Sequence, residues 1–252
     1  GSSAYRKPWP SVAAAVRELP AARRCPPMPA AGYEHIVLLR SDGGAEAYGD
    51  NSYGQCDLPA LGPGLRYVQA SAGINHTVLL RSDGAAVAFG SGRNGECDLS
   101  GLVGPFAQAA AGNGHTALLG ADGRAVACGS NGSGQVDIPD AGPGLSYASV
   151  SAGGYHTLLL RSDGLVAACG SNSSGQCGVD GLQVGGTCAQ VAAGKSHTVL
   201  LHTDGRVLAC GHNDFGQCDI PELEPGVTYS QIAAGGDNTL LLRSDGRVVV
   251  CG

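Results

Sequence analysis

The sequence predicts an all-β protein, a β-propeller of four-stranded blades about 41 residues long, and three observations carry that prediction. First, one pattern returns at a fixed period. A glycine precedes matching slots at Gly32, Gly73, Gly112, Gly153, Gly194 and Gly235, in steps of 41, 39, 41, 41 and 41 residues. Second, every unit breaks into short runs of β-compatible apolar residues, too short for a typical helix, and nothing within 32–252 carries a helical period. Third, the 42 glycines follow no Gly-X-Y repeat and sit at fixed points of the unit, which marks turns and close strand contacts.

Residues 1–31 form a basic N-terminal extension rich in Ala, Arg and Pro. Within it, SVAAAVREL (11–19) reads as a short helix over 12–19, capped by Ser11 and stopped by Pro20. Its apolar side would dock on the propeller rim or on another protein, with disorder as the alternative. Residues 32–252 hold the repeats, with the consensus Y-x-Q-V-x-A-G-x-x-H-T-x-L-L-R-S-D-G-x-x-x-A-C-G-x-N-x-x-G-Q-C-D-I-P. In the fourth unit, strand one is YASVSAG (147–153), strand two is HTLLLR (156–161) and strand three is LVAACG (165–170). Ser162-Asp163-Gly164 is a hairpin turn between strands two and three. Strand four is expected to start near GQC (175–177) and to end at a Pro/Gly connector such as IPDAGPGL (138–145). Six units are visible, giving six or seven blades. The first lacks a clean strand one at MPAAG (28–32), and the last stops at Cys251-Gly252 before its N-x-x-G-Q piece. Either the ring closes irregularly or the chain is part of a longer repeat protein.

In HTVLLR, Val78 and Leu80 point to one side and Thr77 and Leu79 to the other, so both sides require cover. One unit cannot supply it; neighbouring units in a ring can. An up-and-down meander places the A-G-x-x-H and C-G-x-N-x-x-G-Q links on one face. The S-D-G hairpins and Pro/Gly connectors then share the opposite face.

The A-G-x-x-H-T, D-G and G-x-N-x-x-G-Q series over 32–252 resembles the regulator of chromosome condensation repeat family, whose members are usually seven-bladed propellers. The short units are similar to the compact blades of a bacterial β-lactamase inhibitor and of HECT-type ubiquitin ligases of the same superfamily. The resemblance implies several functions, because the fold carries more than one. Guanine-nucleotide exchange on a small GTPase uses a protruding hairpin in that family, for which the uniform spacing leaves no room. Ultraviolet-B reception in the family relies on clustered tryptophans, whereas Trp9 is the only one here and lies outside the repeats. No HECT catalytic segment is present.

Net charge is −6. Arg6, Lys7, Arg17, Arg23 and Arg24 against Glu18 make the extension +4, which leaves −10 on the repeats. So acidic a body is a poor partner for nucleic acid, and only the arm could reach an acidic partner. No apolar run approaches the roughly 20 residues of a membrane helix. The chain does not begin with Met, and its only one is Met28, which suggests a processed product or a fragment. The arm weakly resembles an organelle transit sequence. Against that import reading, the ten cysteines favour a reducing cytoplasm or nucleus. Cys128, Cys169, Cys210 and Cys251 share a slot that holds Tyr48 and Phe89 elsewhere. Cys56, Cys97, Cys177 and Cys218 share one that holds Val136. Such slots call for apolar fillers and free thiols, with Cys169–Cys177 and Cys210–Cys218 the pairs open to bridging.

His35, His76, His115, His156 and His197 fill one slot, and Asn238 fills it in the sixth unit. Zinc ligand nitrogens must lie about 3.4 Å apart, closer than equivalent residues on neighbouring blades. The histidines are therefore expected to tie backbone turns, with no metal and no cofactor. The Asp of each D-G is a turn residue, and Arg40, Arg81, Arg161 and Arg243 should form a solvated rim. No catalytic residue is assigned. Recognition is expected where the copies differ: Tyr33, Glu34, Asn75, Asn113, Tyr155, Lys195 and Asp237 after the A-G, and Tyr53, Arg93, Asp214 and Phe215 in the N-x-x-G loops. Tyr and Phe among small polar residues suit protein contact. The expected function is a non-enzymatic protein-interaction module or accessory subunit. Nucleotide exchange on a small GTPase and inhibition of an enzyme are the alternatives.

Overall fold

The computed structural model of the chain describes residues 29–183 and 185–252. The helix expected over 12–19 lies outside them. Six antiparallel sheets follow one another along the chain, each of three strands in sequence order. The first holds β1 (Pro29–Ala31), β2 (His35–Leu39) and β3 (Ala45–Gly49), and the second β4 (Tyr67–Ala72), β5 (His76–Arg81) and β6 (Ala86–Gly90). The third holds β7 (Phe106–Ala111), β8 (His115–Gly120) and β9 (Ala125–Gly129), and the fourth β10 (Tyr147–Ala152), β11 (His156–Arg161) and β12 (Val166–Gly170). The fifth has β13 (Cys188–Ala193), β14 (His197–His202) and β15 (Val207–Gly211), and the sixth β16 (Tyr229–Gly235), β17 (Asn238–Arg243) and β18 (Val248–Cys251). Pro29–Ala31 thus supplies the first unit with a short strand one.

The hairpins between second and third strands form as the Asp-Gly signal requires. Arg81 donates its N–H to the Ala85 carbonyl at 2.9 Å, Asp83 Oδ1 accepts the Ala85 N–H at 3.1 Å, and Gly84 takes φ +80°. The expected fourth strand is absent from each described sheet; its place is taken by a double turn. In the third unit, Asn131 Oδ1 accepts the Val136 N–H at 3.2 Å, Asp137 N–H bonds back to Gly134, and Gly134 has φ +81°. The loop thereby consumes locally the backbone groups that a fourth strand would offer to its neighbour, and Pro139 ends the segment.

The second strands β5, β8, β11 and β14 each feed two interfaces. Leu79 packs with Val37, Leu39 and Tyr67 of the first interface, while Val78 and Leu80 pack with Phe106, Ala109 and Leu118 of the next. Every fully buried Leu or Val of this kind contributes roughly 1.5–3 kcal/mol. First strands approach one another from sheet to sheet and so lie innermost. Each of β4, β7, β10, β13 and β16 carries a register shift that leaves one residue outside the pairing: Val68, Ala107, Ala148, Ala189 and Ser230. These residues are exposed. Three of them line a cavity of about 600 Å³ together with Gln69 and Gln108.

The sixth sheet differs on its outer side. Leu241 is buried against the fifth sheet, but Leu240, Val248 and Val250 are 42%, 61% and 60% exposed.

Candidate functional site

The loops that vary between copies stand on a repeated joint between sheets. His35 Nε2 lies 2.8 Å from Thr77 Oγ1, and the four later copies (His76–Thr116, His115–Thr157, His156–Thr198 and His197–Thr239) span 2.9–3.1 Å. Each threonine hydroxyl donates to the backbone carbonyl of Gln55, Glu96, Gln135, Gln176 or Gln217 in the preceding unit. Its single proton is thus committed, so the imidazole Nε2–H must donate and Nδ1 carries no proton. Burial pushes His76, His115 and His156 down to about 4 and also lowers His35 and His197. All five rings are neutral frame members near pH 7.

A glycine makes room for each ring. A side-chain carbon at Gly32, Gly73, Gly112 or Gly153 would come closer than 3.0 Å to that unit's own histidine and to the glycine carbonyl of the next unit, and one at Gly194 would meet the His197 ring. At Gly235 the same position is open, and Asn238 stands in the place of the histidine. In the first unit Ile36 stands where the later copies carry Thr.

The second loop set is satisfied from within. Asn51 donates to Asp57 Oδ1 at 2.7 Å and accepts the Cys56 N–H at 2.8 Å, while Gln55 Oε1 accepts the Tyr53 N–H at 3.0 Å. Asn213, Asp219, Cys218, Gln217 and Phe215 repeat the arrangement. In the second unit Glu96 takes the glutamine role, receiving the Asn94 N–H at 2.7 Å. With its polar groups occupied, such a loop holds its two central residues outward and leaves their identity free.

The two loop sets lie on one face. Asp50 N–H bonds to the Glu34 carbonyl, and Ser130 N–H to that of Gly114. A depression of about 220 Å³ is lined by Asn94, Asn113, Ser130, Gln135 and Tyr155, from three consecutive units. Among the expected recognition residues, Arg93 stacks over the Tyr53 ring at 5.0 Å, and Asn113 and Tyr155 share the depression. Tyr33, Tyr53, Tyr155 and Phe215 are exposed, as are Glu34, Lys195 and Asp214. Asn75, Asn113 and Asp237 are half-buried. The set is spread over a broad face and does not converge on one point.

His212 is a member of this face that the repeat pattern does not single out. It fills the slot of Asp50, Ser91, Ser130 and Ser171, accepts the Gln217 Nε2–H on Nδ1 at 2.8 Å, and lies 3.1 Å from Asp214 Oδ2 through Nε2. Its ring meets that of Phe215 at 5.9 Å. The departure of one copy from a Ser/Asp slot was the available signal.

Among the described residues no group of three His, Cys, Asp or Glu is placed to hold a metal ion. The nine described cysteines are unpaired. Cys56, Cys97, Cys177 and Cys218 donate to backbone carbonyls of their own loops, and Cys128 and Cys169 approach those of the preceding unit. Burial pushes the Cys56, Cys128, Cys169, Cys210 and Cys218 thiols up to about 11, and Cys97 to about 12. Nucleophilic thiolate chemistry has no support here.

The profile described as "Regulator of chromosome condensation (RCC1) repeat" matches residues 67–96, 106–135, 147–176, 188–217 and 229–252, more than half of the chain. No curated protein matches the chain in sequence. Among solved structures the chain is similar to Prp20p from Saccharomyces cerevisiae (21% identity, 88% of this chain and 70% of that one, TM-score 0.74), a protein studied for its binding to Gsp1p and histones. It is similar to human WBSCR16 (19% identity, 88% and 75%, TM-score 0.75). It also resembles the ectodomain of the receptor kinase CR4 from Physcomitrella patens (25% identity, 91% and 62%, TM-score 0.71). The chain spans less than two thirds of that ectodomain.

Proposed function

The chain belongs to the regulator of chromosome condensation (RCC1) repeat family, and we propose that it works as a non-enzymatic protein-binding propeller, as a module or accessory subunit of a larger assembly. One observation carries this reading. A repeated frame of His, Thr, Gly and Gln holds up a single face on which the residues that differ between copies, Tyr53, Tyr155 and Phe215 among them, are exposed. Exposed aromatic anchors among small polar residues are the composition of protein-contact hot spots. Affinity capture with the intact chain tests it: replacing Tyr53, Tyr155 and Phe215 by Ala is expected to abolish recovery of the partner bound by the unaltered chain. Undiminished recovery would remove this face from consideration.

Likeness in fold to Prp20p favours nucleotide exchange on a small GTPase as the second reading. The near-equal unit lengths of 39–41 residues weigh against it, because they leave no protruding insertion. Unchanged nucleotide release across a panel of small GTPases would eliminate it. The nine unpaired thiols support a reducing compartment as the place of action.

A further inference from the structure

Charge is divided between the two ends of the propeller. Every Arg–carboxylate pair among the described residues sits at the hairpin and connector end. There Arg40, Arg81, Arg161, Arg206 and Arg243 each hold the Asp two residues away in sequence, and Arg243 also holds Glu224. Most carboxylates of that end are thereby matched by an arginine, while Asp140, Asp180 and Glu222 of the connectors are not, among the described residues. The loop face is different. Glu34, Asp57, Asp137, Asp214, Asp219 and Asp237 lie on it, and none of them pairs with Arg or Lys among the described residues. Three of these carboxylates are held in place, with one oxygen bonded by Asn51, Asn131 or Asn213 while the residue stays exposed. The face has two cations of its own, Arg93, stacked on Tyr53, and Lys195.

We infer that the loop face binds a protein segment rich in arginine and lysine. This rests on the reading that the loop face is an interface, and it adds the chemistry of the partner. Carboxylates of one sign without an arginine or lysine partner attract cations and repel phosphates. Nucleic acid and anionic lipid are therefore disfavoured as occupants. The exposed Tyr155 and Phe215 rings of the same face offer stacking platforms for guanidinium groups, which combine charge with a flat, weakly hydrated surface. The Arg93–Tyr53 stack shows the same contact already made within the chain.

The test uses the intact chain and a labelled peptide of alternating Arg and Ser, with its Glu-for-Arg counterpart as control. The basic peptide is expected to bind at about 50 mM salt and to lose roughly tenfold in affinity by about 300 mM, while the acidic peptide does not bind. The triple variant Glu34→Gln, Asp214→Asn and Asp237→Asn is expected to weaken binding about tenfold. Asp140→Asn, Asp180→Asn and Glu222→Gln remove the same charge from the connectors and should change affinity less than about twofold. Failure of the basic peptide to bind, or equal weakening by both triples, overturns the inference. Loss of the captured partner on replacing Tyr53, Tyr155 and Phe215, with no loss in the loop-face charge variant, would keep the interface and dismiss its cationic partner.

Discussion

His115 Nε2 stands 3.0 Å from Thr157 Oγ1 on the following sheet, and Thr157 passes its own proton to the Gln135 carbonyl at 2.7 Å. Two consecutive units of the repeat thus meet in one buried relay. Thr157→Val keeps the shape but leaves the imidazole N–H and the carbonyl without a partner. A loss of roughly 1–3 kcal/mol per stranded group is expected, read as a lowered urea midpoint. An unshifted midpoint would mean that the relay contributes nothing to stability.

The same histidines make stability depend on pH. In the folded chain His76, His115 and His156 titrate near 4, below the ordinary 6.5 they regain on unfolding. Between those values the unfolded state binds more protons. The contribution is therefore complete above pH 6.5 and is lost as pH falls toward 4, at up to about 1.4 kcal/mol per pH unit for each ring. Denaturation series across this window should show stability rising with pH, then levelling off.

Glycine slots that look alike in sequence should respond differently to one substitution. Gly153→Ala drives a methyl group into the His156 ring and the Gly194 carbonyl, whereas Gly235→Ala enters open space at a backbone angle that alanine tolerates. The first is expected to cost more than about 2 kcal/mol, by comparison with other overpacked sites. The second should be neutral or stabilising by up to about 1 kcal/mol. Thermal midpoints of the two variants decide the matter.

Alkylation provides a check on the thiols. With Cys97 raised to about 12 and five others to about 11, these six thiols should react slowly with iodoacetamide at pH 8 in the native chain, and denaturant should release their rapid labelling. Fast labelling of Cys97 in the native chain would contradict the burial described.

The outer side of the sixth sheet should bind a hydrophobic dye through Leu240, Val248 and Val250. Val248→Thr with Val250→Thr is expected to reduce that binding and leave the thermal midpoint nearly unchanged, since both side chains already meet solvent.

Most of the frame can be read from the chain without coordinates. A unit near 41 residues, two-sided apolar strands and Asp-Gly hairpins dictate a ring of small sheets, since each unit has more apolar surface than it can cover alone. The grouping of both variable loop sets on one face follows from the meander. What periodicity could not express is partnership across units. Nothing in H-T spacing says that His115 bonds the threonine of the next copy and not its own Thr116; only stacking brings residues 42 apart within 3.0 Å. The fourth strand was misread for a related reason. GQC (175–177) has strand-like composition, but Asn172 Oδ1 takes the Cys177 N–H, as Asn131 takes that of Val136 one unit earlier, and side-chain bonding of that kind leaves no mark on hydrophobic period. Charge pairing at the hairpins is local, as in Arg81 with Asp83 two residues on, whereas contacts such as Arg243 with Glu224 nineteen residues away are decided by the fold.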